Sequence, residues 1–226
     1  MAATLVAGVA ATVWWARQKV QAPAGPALEQ LAVYGEIPPF TLIERSGRRV
    51  TLDDLRGLVW VADFIYTECT ESCPIQSLSF AALQREFAES AGLRLVSITV
   101  DPAHDTPAVL RRYAERYGAG DHWWFLTGDK REIYCFAQEG LRLAVADPAA
   151  PAPPACGAKL SFGPRLAWAS HGSPGLVMHS ARAVLVDRVG RIRAYHLAIE
   201  PKSMQTLRAN LRQLLAEPAP RNGGSR

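Results

Sequence analysis

Two largely apolar runs, Val59–Tyr66 and Leu93–Val100, each lead into a stretch with helical spacing, and this alternation is what most narrows the folds open to the chain. Runs of roughly 4–8 apolar, β-branched and aromatic residues bounded by turn signals read as buried strands. After the first run, Leu78, Leu83 and Phe87 keep helical spacing as far as Gly92. After the second, Thr106 is placed to cap a helix and Pro107 to occupy its first position, with the helix reaching about Tyr117 and stopping at Gly118. Trp123–Leu126 then reads as a short strand, Asp129–Glu139 as a helix and Leu141–Val145 as another strand. Upstream, Phe40–Glu44 and Arg49–Thr51 form a short hairpin around Ser46-Gly47, and Asp53–Gly57 a turn of helix with a glycine stop. Downstream, Ala183–Asp187 and Ile192–His196 flank a Val189-Gly190 turn as a second hairpin. Pro201 opens a last helix with Met204, Leu207, Leu211 and Leu214 on one stripe.

At the junction between the first strand and its helix stand Cys69 and Cys73, followed by Pro74. A spacing of four brings two side chains to one side of a helical turn, so the sulfurs can converge. The nearby helix N-terminus favours negative charge and is expected to lower thiol pKa, promoting the thiolate that metal binding or redox exchange requires. The competing reading is a pair of buried, inert structural thiols. A strand–helix–strand–helix order, then an antiparallel hairpin and a closing helix, with a cysteine pair after an early strand, matches a thioredoxin-like α/β fold. The expected architecture is a central mixed sheet flanked by helices, with an N-terminal hairpin extension.

Composition limits the partners. The 226 residues carry a formal net charge of +4, and their basic residues are scattered, mostly as arginine within helices, without the stripe that nucleic acid requires. No nucleic-acid partner is expected. Four cysteines are too few for a disulfide scaffold in a chain this long, and one close pair does not make a zinc ribbon.

Three residues between the cysteines, where thioredoxin-type motifs use two, leave more room between sulfurs for an ion. Two thiolates are soft ligands that select Cu(I), and an added imidazole lets a site hold Cu(II) as well. Of five histidines, His104 reads as a solvated loop residue, His122 has nothing directing it to the cysteines, and His196 falls at a surface strand end. His171 lies in an irregular stretch and has no assigned place. His179 directly precedes the second hairpin, whose entering loop lies against the cysteine helix in thioredoxin-like topology. It is therefore the candidate ligand, the alternative being a loop histidine with local partners.

Four segments in register carry a resemblance: Tyr66–Pro74 with its Cys-x3-Cys-Pro element, Val100–Pro107, Phe125–Gly128 and Met178-His179-Ser180. Together, over about Glu36 to Leu215, they resemble the Sco/SenC family, membrane-tethered thioredoxin-like proteins that bind copper and assist assembly of the dinuclear CuA centre of cytochrome c oxidase. The resemblance implies that Cys69 and Cys73 supply thiolates and His179 the third ligand to Cu(I) or Cu(II). It implies as partners the copper-bearing subunit of cytochrome c oxidase, other copper chaperones or thiol reductants, and a membrane through the N-terminal segment. The chain departs from the family in carrying Thr70 where a proline is common, while Glu71 keeps the acidic residue that follows it. Met178 is a soft neighbour to the site or an apolar loop residue.

The organisation expected is a membrane anchor or signal-like segment at 1–20, a linker at 21–35, the copper-binding domain at 36–217 with a long insertion at 147–175, and a disordered tail at 218–226. Residues Met1–Ala16 are apolar and end in Trp14-Trp15, but fall short of the roughly 20 residues that span a bilayer. Arg17 and Lys19 follow this run, an order that by itself keeps the domain in the cytoplasm. A start further upstream, with Lys or Arg ahead of the run, gives instead an inner-membrane anchor with the domain on the periplasmic side, the placement expected here over a mitochondrial inner membrane. The proline-dense insertion carries Leu160, Phe162, Leu166 and Trp168, either as padding for the domain's flank or as a docking flap. Cys156 within it is expected as a lone thiol or the partner of Cys135, not as a ligand.

Three functions compete. The first is copper delivery, which is not enzymatic. The second is thiol–disulfide exchange that keeps an acceptor's cysteines reduced. The third is peroxide reduction, with Cys69 oxidised to a sulfenic acid and resolved by Cys73, which leaves His179 without a task.

Overall fold

The computed structural model describes residues 28–143, 156 and 181–218, together with the backbone of 145–146 and 178–179. The expected anchor, the start of the linker, most of the insertion with its aromatic residues and His171, and the tail lie outside the described residues. Among the described residues no helix is long and apolar enough to cross a membrane.

Among the described residues, ten strands and four α-helices follow in chain order: β1 (Gly35–Glu36), β2 (Thr41–Glu44), β3 (Arg49–Thr51), β4 (Val59–Ile65), α1 (Ser72–Glu86), β5 (Leu93–Thr99), α2 (Pro107–Arg116), β6 (Trp123–Thr127), α3 (Lys130–Cys135), β7 (Val145–Ala146), β8 (Met178–His179), β9 (Arg182–Val186), β10 (Arg191–Leu197) and α4 (Pro201–Ala216). Eight strands form one mixed sheet in the order β1-β10-β9-β4-β5-β6-β2-β3. β4, β5 and β6 run parallel, and β9 joins β4 antiparallel. Such parallel neighbours need helical crossovers, and the right-handed rule puts α1 and α2 on the same face. α4 joins them, since Arg208 and Arg212 both reach Glu86 of α1. This is the thioredoxin-like arrangement, with the β2–β3 hairpin extending one edge.

Every residue of β4 is buried, as a central strand covered on both faces requires. Trp60, Phe64, Phe80, Trp123 and Phe125 fill the core, and all four stripe residues of α4 are buried. Asp63, in the middle of β4, is the polar exception. It accepts from Ser97 Oγ at 2.7 Å and from Gln76 Nε2 at 3.4 Å, and Ser97 in turn accepts from Trp123 Nε1 at 2.9 Å. A buried carboxylate needs such donors, because each unsatisfied polar group there is destabilising.

Three expectations are corrected. The linker expected to reach residue 35 is docked from Leu28 onward: Tyr195 N–H donates to the Leu28 carbonyl, Ala32 and Tyr34 donate to β10, and Leu28, Leu31 and Tyr34 pack on the core. The docking rests on backbone pairing along the β10 edge, which a side-chain pattern does not announce. The strand expected at Leu141–Val145 does not form as such. Leu141 and Leu143 are buried, but Arg142 has φ +55°, which breaks an extended run, and only Val145–Ala146 pairs, with β8. The helix expected over Asp129–Glu139 stays α-helical only to Cys135 and then widens into a five-residue π turn, Phe136–Gly140. The Phe136 ring lies so close to Gly140 that a Cβ there would sit 2.8 Å from it.

Candidate metal centre

The cysteine pair sits where β4 ends beside the parallel strand β5. The chain turns sharply after Tyr66, whose carbonyl accepts from Cys69 N–H at 3.2 Å, and α1 opens at Ser72. Cys69 therefore precedes the helix and Cys73 lies in its first turn. The Cys73 N–H donates to Cys69 Sγ at 3.4 Å, so a helix-terminal amide, not a shared helical face, brings the sulfurs together. Both are in thiol form, with no disulfide between them.

The expected exposed, acidified thiols are not what the fold produces. Cys69 is 8% exposed and Cys73 fully buried. Burial drives the Cys73 thiol far above its ordinary range, and its hydrogen bond with Cys69 and the charge of that sulfur push the same way. Desolvation outweighs the helix N-terminus because a buried thiolate loses all its water, whereas the terminal dipole contributes about 0.3–1 kcal/mol. The Tyr66 hydroxyl is likewise raised, chiefly by burial and then by its hydrogen bond to Cys69.

The loop that carries Cys69 is clamped from the segment between β5 and α2. Asp105, wholly buried, accepts from Thr67 N–H at 3.0 Å, from the Thr67 hydroxyl and from the Thr99 hydroxyl. His104 Nδ1 lies 3.0 Å from the same carboxylate, while its Nε2 faces Glu68 at 3.4 Å. That contact with Asp105, ahead of the charge of Glu68, raises the His104 pKa. Reading along the sequence did not assign Asp105 or Thr67 a task. The available signal is an aspartate and a threonine at the C-terminal ends of adjacent parallel strands, where side chains from both converge.

The histidines sort differently from expectation in one case. His104 is part-exposed as expected, but tied to the cysteine loop. His122 stands beside Arg94 ahead of β6, at the other end of the strands. His196, expected at the surface, is fully buried in β10 and its pKa falls to about 4, chiefly by burial. The strand end is covered by α4 and the N-terminal arm, a tertiary contact that local sequence does not announce. The backbone of His179 is in β8, paired with Val145. Its side chain, like His171, lies outside the described residues. Cys135 and Cys156 form a disulfide, which settles between the two expected states and joins the end of α3 to the segment between β7 and β8.

Among the described residues no three His, Cys, Asp or Glu side chains are grouped to hold a metal ion. The donor pair nevertheless fits a soft cation. Two adjoining sulfurs in an apolar setting resist double ionisation by repulsion and desolvation, and a monovalent or divalent metal between them offsets both. Hard cations, which demand oxygen ligands, have no comparable set among the described residues.

A family model described as SCO1/SenC matches residues 30–155, more than half of the chain. That span holds both cysteines and Asp105 and ends ahead of His179. The SCO1 protein homolog of Bacillus subtilis (strain 168) is 39% identical over 116 residues, 50% of this chain and 60% of that protein. The stretch shared with this relative thus spans about three fifths of its length. Among solved structures, BsSco, described as undergoing a disulfide switch and as a member of the Sco family of cytochrome c oxidase assembly proteins, superposes with a TM-score of 0.61 at 26% identity, over 84% of this chain and 99% of that one. Bradyrhizobium japonicum ScoI, solved with copper bound, matches in fold with a TM-score of 0.58 at 23% identity, over 80% of this chain and 99% of that one.

Proposed function

This chain belongs to the SCO1/SenC family, and we propose that it carries copper as cargo between Cys69, Cys73 and His179 and delivers it to the CuA site of cytochrome c oxidase. The observation that carries the reading is the thiol pair itself: two sulfurs joined through one amide at a strand–helix junction, in thiol form, with Cys73 held neutral by burial. Copper, as Cu(I) or Cu(II), supplies the positive charge that both thiolates need. Cys69, 8% exposed where Cys73 is fully buried, is the sulfur an incoming donor or acceptor reaches first, and Cys73 closes the site from inside. The third donor, the His179 imidazole, extends the site to Cu(II). The partner is the copper-bearing oxidase subunit, and the N-terminal segment holds the domain at the membrane, on the periplasmic side.

The test is anaerobic loading with Cu(I) and Cu(II). We expect near one copper per chain, abolished in Cys69→Ala and Cys73→Ala. His179→Ala is expected to lose Cu(II) sharply while the two sulfurs retain part of the Cu(I). Unchanged Cu(II) binding in that variant would remove His179 from the site.

A second reading, reduction of the acceptor's cysteines, is favoured by two sulfurs joined through one amide and by the disulfide switch described for BsSco. It places less demand on His179. Disulfide-reductase turnover in His179→Ala equal to wild type, with no copper retained by either, would select it.

A further inference from the structure

The first two turns of α1 are packed inside out. Gln76 is wholly buried against Asp63, and Ser77, 1% exposed, shares a 2.9 Å hydrogen bond with the Tyr113 hydroxyl. Ile75 and Leu78, by contrast, are 50% and 61% exposed. A helix on a sheet ordinarily does the reverse, and buried polar residues beside exposed large apolar ones are the informative departure. Ile75 and Leu78, three apart, share one face, so they form a strip rather than scattered positions. Ser79 Oγ donates to the Ala198 carbonyl at 2.8 Å, which brings the next residue, Ile199, 42% exposed, alongside. The strip begins two residues after Cys73.

Its charge setting is equally one-sided. No Lys or Arg occurs from Val59 to Gln84 or from Leu95 to Leu110, although the whole chain is +4. Glu68 and Glu71 on the cysteine loop and Glu200 ahead of α4 are exposed at this end. Among the described residues, the cations that share it are His104, set against Glu68, Lys202 in the first turn of α4, and the part-buried Arg182, paired with Leu197 across β9 and β10. An anionic bilayer is repelled by such an edge.

We infer that the strip Ile75–Leu78–Ile199, with its acidic edge, is where the protein that exchanges copper with Cys69 and Cys73 docks, through a face that is apolar at its centre and basic at its rim. This rests on the copper-delivery reading and names the surface by which delivery becomes selective. Apolar anchors supply the hold, and opposite charges around them speed encounter and exclude wrong partners.

The experiment uses the full-length chain and, as probe, the purified copper-bearing subunit of cytochrome c oxidase in its metal-free, reduced form. Association is followed by titration at low and high salt, copper stoichiometry is measured on each variant alone, and self-association by sedimentation. The double variant Ile75→Gln/Leu78→Gln is expected to keep its copper stoichiometry and its urea midpoint to within a small shift, since both side chains are at least half exposed. Its association with the subunit should weaken at least about tenfold, as for truncation of a central apolar anchor. Glu200→Lys, whose side chain caps nothing, should slow association and flatten its salt dependence. The variant Val33→Gln/Val189→Gln, on exposed apolar residues elsewhere, should bind as wild type.

Wild-type affinity in the Ile75/Leu78 variant would overturn the inference, as would absence of any binding by the wild type. Loss of a wild-type dimer in the variant, with subunit affinity intact, would assign the strip to a second copy. Loss of wild-type binding to phosphatidylcholine or phosphatidylglycerol vesicles, again with subunit affinity intact, would assign it to lipid, and either result overturns the proposal. Should the wild type hold no copper yet lose subunit binding through Ile75 and Leu78, the docking surface stands and the copper reading fails.

Discussion

Lowering pH through the range below 6.5 should destabilise this protein through one residue, His196. The ring projects from β10 and is fully buried, with Nε2 3.2 Å from Asn210 Nδ2 of α4, whose amide also donates to the Glu29 carbonyl at 2.7 Å. Because the amide donates, Nε2 accepts, and the single proton of the neutral ring is on Nδ1; the charge of Glu29 and a backbone hydrogen bond at Ser203 favour the charged ring, but burial outweighs both. A second proton would bring charge into this setting without a new acceptor, and burial lowers the folded-state pKa to about 4 against an ordinary 6.5. Between those values the unfolded chain binds a proton that the folded one refuses. Stability is therefore fully present above pH 6.5, falls as pH drops toward 4, and loses nothing further from this group below that. A gap of about 2.5 units at about 1.4 kcal/mol each amounts to roughly 3.5 kcal/mol, a substantial part of a domain's total of about 5–15 kcal/mol. The assay is urea unfolding at several pH values for wild type and His196→Gln, whose amide oxygen replaces Nε2 as acceptor and cannot titrate. Carboxylates affect both proteins alike, so the difference between the curves isolates the histidine. Parallel curves from pH 7 to 4 would refute the reasoning.

Two further outcomes follow from the thiols and the disulfide. Cys73 stays protonated throughout the neutral range, so copper uptake must displace its proton, and the apparent Cu(I) affinity should rise at least about tenfold per pH unit from pH 6 to 8, read by competition with a chromophoric chelator. An affinity independent of pH would mean the sulfur is already ionised or not a ligand. The Cys135–Cys156 link closes a loop across a sequence separation of 21, which by loop-closure entropy stabilises the fold by about 3 kcal/mol. The double serine variant should show that loss in urea with copper stoichiometry intact, and an unchanged urea midpoint would show that the link does not stabilise the domain.

Much of this molecule is local and therefore legible along the chain. β4 and β5 are largely apolar stretches, Thr106 caps α2 through a hydrogen bond from Val109 N–H, and Met204, Leu207, Leu211 and Leu214 keep a helical stripe that ends up buried. Periodicity and caps act within one or two turns, which is the range a sequence window samples. The Cys-x3-Cys spacing likewise announces a pair of sulfurs at a strand–helix junction. Even where the pattern fails, as at Leu141–Val145, the misreading is of a backbone bend at Arg142, while the burial of Leu141 and Leu143 follows from their type.

The protonation of those sulfurs was decided elsewhere. The helix N-terminus promised a thiolate, but the neighbours that bury Cys73 come from across the fold, and solvent exclusion is a property of the packed whole. Asp105 clamps the cysteine loop across a separation of 38 residues, and His196 is sealed by α4 and an arm that begins near Leu28. The inside-out turns of α1 belong to the same class: Gln76 and Ser77 are buried because Asp63 and Tyr113 wait for them, and Ile75 and Leu78 are left outside in consequence. What the sequence alone determined was the order of elements, the sulfur pair and the apolar stripes, because these depend on near neighbours. Charge state and exposure depend on which distant groups surround a side chain, and only the tertiary structure assembles them.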